Sequence, residues 1–142
     1  MVKLPFRSKQ RPNTASKGES AESLAWRYLS QQGLKLVERN YRTQRGEIDI
    51  IARDGDTLVF VEVRLRSHSG FGGAAQSIDA RKQARLVSAA QHYLLKTGLT
   101  DVQPCRFDAI CMDSVDTSSA AKSSSQDNNA IDWIRDAFRP EA

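Results

Sequence analysis

Two carboxylates stand where the sequence otherwise reads as apolar β-strand: Asp49 within Ile48-Asp49-Ile50-Ile51-Ala52, and Glu62 within Thr57-Leu58-Val59-Phe60-Val61-Glu62-Val63. An acid inside such a run is costly unless it is paired, hydrogen-bonded or bound to a cation. Between the runs lies Asp54-Gly55-Asp56, a strong hairpin signal. Side chains alternate along a strand, so Glu47, Asp49 and Ile51 are expected on one side of the first strand. Leu58, Phe60, Glu62 and Arg64 are expected on one side of the second. The turn decides how the acids meet. With Gly55-Asp56 as a two-residue loop, Asp49 lies directly across from Glu62. With Asp54-Gly55 it is diagonal, within about 7 to 8 Å, and Glu47 is opposite. A three-residue loop needs a bulge to restore the parity. In either two-residue case the carboxylates converge, and like charges so close repel unless a cation lies between them. An oxygen-ligand ion, Mg²⁺ or Mn²⁺, suits such a site, and Arg64 on the same face can hold the charge of a phosphate beside it.

The surrounding elements follow from periodicity. Ala21, Leu24, Ala25, Tyr28 and Leu29 recur at helical spacing, with Ser16 and Glu19 as a capping box and Gly33 closing the helix. Glu22, at the border of that stripe, reads equally well as a first-turn acid favourable to the helix dipole. Leu34 to Tyr41 reads as a strand, and Arg42 to Arg45 as a turn into the hairpin. Ser67 to Gly73 reads as a loop beside the acids. A second helix is expected over Ile78 to Lys96, burying Leu86, Ala89, Ala90, Tyr93 and Leu94. A strand follows over Cys105 to Met112, with Phe107 and Ala109 alternating with Asp108 and Ile110. Finally, Trp133, Ile134, Ala137 and Phe138 fall on one face of a short C-terminal helix that must dock on the domain, since a lone short helix is marginal in water. The connections among the first three strands are too short for parallel crossovers. The fold class is therefore α/β, a central mixed sheet with an antiparallel meander flanked by helices.

Composition bounds the rest. The 142 residues suffice for one domain with a sizeable core, and the 39% hydrophobic and 27% charged content is that of a soluble globular protein. The expected organisation is a disordered basic arm over 1–17, an α/β domain over 18–113, a disordered Ser-rich linker over 114–129 and the C-terminal helix over 130–142. No apolar run approaches the roughly 18 residues of a membrane helix, and the N-terminus has no signal-peptide core, so a cytoplasmic location without membrane is expected. Cys105 and Cys111, six apart in one strand, are about 20 Å from each other and cannot bridge, so both are expected as core thiols. His92 is expected on a helix surface, and His68 lies in the loop near the acids.

The net charge of +4 is largely a tail property, because residues 1–17 carry five basic side chains and no acid, leaving 16 basic and 17 acidic residues for the rest. Within the domain, Arg39, Arg42, Arg45, Arg53, Arg64, Arg66, Arg81, Lys82 and Arg85 gather around the hairpin. They read either as a solvated face or as a phosphate track around an acidic centre, with Arg42, Arg45, Arg66, Lys82 and Arg85 the candidate contacts to nucleic acid.

An acid in one strand followed by Glu-x-Arg in the next resembles the PD-(D/E)xK nuclease superfamily, of restriction-endonuclease-like fold with an αβββαβ core, and within it the YraN-like family of small bacterial proteins. The resemblance is carried by Gly18-Glu19 with Ala21-Glu22, Arg39-Asn40-Tyr41-Arg42, Gly46-Glu47-Ile48-Asp49, Val59-Phe60-Val61-Glu62-Val63, Lys82-Gln83, Arg106-Phe107-Asp108 and Trp133 through Phe138. It covers about residues 18 to 112 and the last element. It implies that Asp49 and Glu62 are metal-binding acids and that Glu22 completes the site, as a first-helix glutamate does in archaeal Holliday-junction resolvases. It further implies hydrolysis of phosphodiesters with one or two Mg²⁺ ions. Two departures stand out. Gly46-Glu47-Ile48 replaces a proline-containing approach to the first acid, and the lysine of the motif is Arg64. Arginine stays charged, so a general-base role is lost while an electrostatic one survives. Lys82, on the next helix, is a candidate to supply a lysine in space.

Two functions compete on this reading. One is a Mg²⁺-dependent endonuclease acting on nucleic acid, DNA foremost and branched DNA by analogy, in which case two sites and hence a homodimer are required. The alternative is a catalytically weak or inactive nuclease-fold module that binds nucleic acid or another protein, because fold alone does not confer activity.

Overall fold

A computed structural model of the chain describes residues 16–66, 78–113 and 131–140. The basic arm before Ser16, the Ser67 to Gly73 loop with His68, and the Ser-rich linker lie outside the described residues. The elements run α1 (Ser16–Gln31), β1 (Lys35–Thr43), β2 (Gly46–Asp54), β3 (Thr57–Arg66), α2 (Ala80–Thr97), β4 (Cys105–Asp113) and β5 (Ile131–Phe138). The strands form one sheet in the order β1-β2-β3-β4-β5. The first three are an antiparallel meander, β4 is parallel to β3 across the α2 crossover, and β5 is antiparallel to β4. This is the mixed-sheet α/β architecture and αβββαβ order expected from the sequence, with a fifth strand added.

Each face of the sheet carries one helix. On one side Ala21, Ala25 and Leu29 of α1 pack on Ile50, Ala52, Val59, Val61, Ile110 and Met112. On the other, Leu86, Ala89, Ala90 and Tyr93 of α2 pack on Ile48, Ile51, Leu58, Phe60, Phe107, Ala109 and Cys111. A strand covered on both faces must be apolar at nearly every position. That is why β2 and β3 read as continuous apolar runs and why their acids are conspicuous. Leu24, expected in the α1 stripe, is 40% exposed instead, because Ala21, Ala25 and Leu29 already fill the line of contact one residue to its side. Cys111 is buried but Cys105, expected in the core, is exposed at the first position of β4.

The C-terminal element is a strand where a helix was expected. Trp133, Ile134, Ala137 and Phe138 fit a helical face by spacing, yet a bulge supplies that spacing here. Phe107 pairs with Phe138 and Ala109 with Ile134, so three residues of β5 stand opposite Asp108 alone. Asp136, at φ +56°, turns the chain within the bulge, and Trp133 then packs on the α1 side while Ile134, Ala137 and Phe138 pack on the α2 side.

The buried carboxylate of Asp108 holds this bulge together. It accepts from Arg106 at Nε (2.9 Å) and Nη2 (3.1 Å), from Trp133 Nε1 (2.9 Å) and from the Asp136 backbone N–H (2.9 Å). Arg106 also reaches Asp54 at the β2–β3 turn, 2.9 Å away. A carboxylate that is 1% exposed is tolerated because its lone pairs are taken by four hydrogen bonds, two of them from a guanidinium fork.

Candidate functional site

The β2–β3 turn settles the register. Asp54 pairs with Thr57, which leaves Gly55-Asp56 as the two-residue loop, and Gly55 has the positive φ, +64°, that primed hairpin turns require. Continued along the ladder, this register sets Asp49 opposite Glu62. Regular pairing extends to Ile50 and Val61, and beyond it the Asp49 side chain takes over, its Oδ2 accepting from the Val63 backbone N–H at 2.8 Å.

Strict alternation does not continue through Asp49, which corrects the expectation that Glu47, Asp49 and Ile51 share one side. Ile48 and Ile51 both pack beneath α2, whereas Ile50 packs beneath α1. The neighbouring strand switches at the same place. Arg39 faces α1, with Nη2 3.3 Å from Ser23 Oγ and the guanidinium 5.2 Å from the centre of the Trp26 ring, while Tyr41 packs under α2. Between Arg39 and Tyr41 stands Asn40 in the left-handed region, φ +53°. Both strands therefore change faces at the Asn40/Asp49 position. Asparagine is among the few side chains that tolerate this conformation, and an asparagine inside a strand was the sequence signal for it.

Gly46 begins β2 directly against α2. A Cβ there would overlap the carbonyl oxygen of Arg85, so the Gly46-Glu47-Ile48-Asp49 segment needs glycine to let helix and strand approach. Thr43 Oγ1 fastens the preceding turn, accepting from the N–H groups of Arg45 and Gly46, both at 3.1 Å.

The resulting acid centre is mostly enclosed. Glu62 is 7% exposed and Asp49 is half-buried. Burial, and then the charge of Asp49, push the Glu62 carboxyl up to about 7. Asp49 is raised as well, first by burial and further by Glu47, while the Val63 N–H acts the other way. Two carboxyls this close exchange protons as a unit, so the raised affinity belongs to the pair. Glu22, half-buried on α1, is raised by burial and by Asp49, and its bond to the Asn40 side chain opposes this.

The predicted cations separate into groups. Lys82 Nζ lies 3.3 Å from Glu62 Oε2, so its ammonium faces the acids; the sequence suggested either a phosphate contact or a lysine supplied in space to the motif. Arg64 is half-buried, and its charge favours ionised Glu62. Arg42 is exposed and pairs with Glu47 at 3.3 Å. Arg45 and Arg85 are exposed around the β1–β2 turn and α2. Arg66 ends β3, with its backbone paired to Asp113. His92 is on the exposed side of α2 as expected, where its Nδ1 meets the Tyr41 hydroxyl at 2.6 Å.

The donor set fits an oxygen-ligand cation of limited protein coordination. Asp49 and Glu62 supply two carboxylates that repel in the absence of positive charge. Among the described residues, however, no three His, Cys, Asp or Glu side chains are grouped as a ready metal cage, although Glu22 on α1 is near enough for the charge of Asp49 to raise it. Mg²⁺ is commonly held by one or two carboxylates and otherwise by water.

A mixed sheet with an antiparallel meander, one helix on each face and an acid pair on its second and third strands defines an α/β domain, an arrangement consistent with a restriction-endonuclease-like core. The chain belongs to the uncharacterised protein family UPF0102, the YraN-like family, whose model matches residues 21–112. It is 49% identical over 121 residues to a UPF0102 protein of Methylobacillus flagellatus, covering 85% of this chain and 95% of that one. It is also 49% identical over 126 residues to one of Nitrosococcus oceani, covering 89% and 94%. A third, from Pseudomonas savastanoi pv. phaseolicola, is 46% identical over 123 residues, covering 85% and 91%. Among the described residues no helix is long and apolar enough to cross a membrane.

Proposed function

We propose that this protein is a divalent-metal-dependent nuclease that hydrolyses phosphodiesters of nucleic acid, DNA foremost. The observation that carries the reading is the facing pair Asp49 and Glu62, both raised in proton affinity, Glu62 by burial and then by Asp49, Asp49 by burial and then by Glu47. Such a pair destabilises the fold it sits in, and a bound cation relieves the cost. Functional sites commonly hold groups perturbed in this way.

Asp49 and Glu62 would hold Mg²⁺ or Mn²⁺, with Glu22 supporting through water. When bound, the ion supplies a water of lowered pKa and neutralises charge on the phosphate. The Val63 N–H fixes the Asp49 carboxylate on one oxygen, leaving the other oxygen for the ion. Arg64, on the face of Glu62, stabilises charge on the phosphate without exchanging a proton. Arg42, Arg45 and Arg85 on the exposed rim, with Arg66 at the end of β3, attract the polyanion. Branched DNA is the preferred substrate by analogy, and cutting both arms of a junction requires two copies of the chain.

A binding module that has lost cleavage is the second reading, favoured by arginine in place of the motif lysine and by the two-acid donor set. Incubating the purified protein with linear, single-stranded and four-way-junction DNA in Mg²⁺, Mn²⁺ or EDTA separates the two. Metal-dependent cutting supports the nuclease. Salt-sensitive binding with every substrate intact supports the module and refutes the nuclease.

A further inference from the structure

Lys82 occupies an unfavourable place for a lysine unless its ammonium is needed there. It lies in the first turn of α2, where its backbone N–H donates to the N-cap Asp79 Oδ1 at 2.8 Å. That turn contains no acidic side chain, and both Arg81 and Lys82 put positive charge at the positive end of the helix dipole. The side chain leaves the helix axis and sets Nζ 3.3 Å from Glu62 Oε2; it is 43% exposed, whereas the Glu62 side chain is 9% exposed. The ammonium therefore sits at the mouth of the acid centre, between solvent and the carboxylates. Its charge reaches Asp49 as well as Glu62.

We infer that Lys82 is the resident counter-ion of the Asp49–Glu62 pair and competes with a divalent cation for Glu62. The physical basis is the geometry of one carboxylate shared by two cations. The ammonium 3.3 Å from Glu62 Oε2 occupies one oxygen of the carboxylate, and its positive charge opposes a Mg²⁺ or Mn²⁺ ion with its water shell at the same group, so metal entry is favoured when the ammonium withdraws. The exposed stem of Lys82 permits that movement, and the Asp79 cap keeps its backbone in place while it occurs. Lys82 is thus a positioning residue: it keeps the acid pair from standing unpaired, and on metal entry it is released to the solvent side, where a phosphate arrives. This inference rests on the proposed cation site.

The test is the melting temperature of the whole chain titrated with Mn²⁺ at pH 8, for wild type, Lys82→Met, Lys82→Arg and Asp49→Ala. Methionine keeps the length and apolar stem without the charge. The expected result is Mn²⁺ affinity about tenfold higher in Lys82→Met, near wild type in Lys82→Arg, and no Mn²⁺ response in Asp49→Ala. A merely structural lysine would lower or leave unchanged the affinity on removal. A Mn²⁺ response that needs Asp49 but is equal or weaker in Lys82→Met overturns the inference and leaves the cation site standing. No response to Mn²⁺ in any variant overturns both.

Discussion

Neutralising Glu62 is expected to stabilise the protein at alkaline pH, which is unusual for removal of a buried charge with a partner. The folded Glu62 carboxyl titrates at about 7 against 4.5 in a free side chain. Between these values the folded state binds more protons than the unfolded state, so stability falls as pH rises through the window from about 4.5 to 7. At 1.36 kcal/mol per pKa unit the full loss is about 3 kcal/mol. Asp49 and Glu22 are shifted in the same direction and add to the slope. Glu62→Gln removes the Glu62 share and the repulsion it exerts on Asp49. The pairing with half-exposed Lys82 is already contained in that value. The net expectation at pH 8 is therefore a gain of about 3 kcal/mol, or on the order of 10 °C in melting temperature. At pH 4 the variant and wild type should be nearly equal. Urea denaturation across pH 4 to 8 in EDTA reads both. A wild type whose stability does not fall with rising pH, or a Glu62→Gln variant with an undiminished slope, would refute the enclosed-pair reasoning.

Other perturbations have equally definite outcomes. Asp108→Ala leaves Arg106, Trp133 Nε1 and the Asp136 N–H without their buried acceptor, so chemical denaturation should show a loss of about 3 to 5 kcal/mol, with hydrogen exchange fastest in β5. Gly46→Ala forces a methyl group into the Arg85 carbonyl, and thermal melting should report a loss of about 1 to 3 kcal/mol. Asp49→Asn keeps an acceptor for the Val63 N–H while removing charge. It should abolish metal-dependent cleavage yet fold with a normal circular-dichroism spectrum, whereas retained cleavage would remove Asp49 from the chemistry. Replacing exposed Arg45 and Arg85 by Gln should weaken DNA binding and lower the slope of log affinity against log salt by about 1 to 2, measured by fluorescence anisotropy.

The central architecture was legible because its signals are local. Asp54-Gly55-Asp56 marks the hairpin, and either two-residue turn brings Asp49 near Glu62; the choice of Gly55-Asp56, which sets them directly opposite, came from the structure. The helical stripes were legible for the same reason, apart from Leu24, where periodicity alone does not say how wide the buried face is. What escaped depends on backbone irregularity. The face switch at Asn40/Asp49 and the bulge opposite Asp108 each insert a break into a period-two pattern, and in β5 such a break imitates a helix. Asp108 read as an alternating polar residue of β4, because two of its four hydrogen bonds, from Trp133 and the Asp136 N–H, come from a segment more than 20 residues away in sequence. Lys82 read both as part of a phosphate track and as a candidate to supply the motif lysine in space, and spacing along α2 alone does not reveal which way a long side chain leaves the helix.

The most direct measurement is a calorimetric titration of the metal-free protein with Mn²⁺ at pH 8, beside Asp49→Asn and Glu62→Gln. The expected result is saturable binding by the wild type that each single substitution weakens by at least tenfold and the double substitution eliminates. Binding of equal strength and stoichiometry in the wild type and the double variant would contradict the assignment of Asp49 and Glu62 as a cation site.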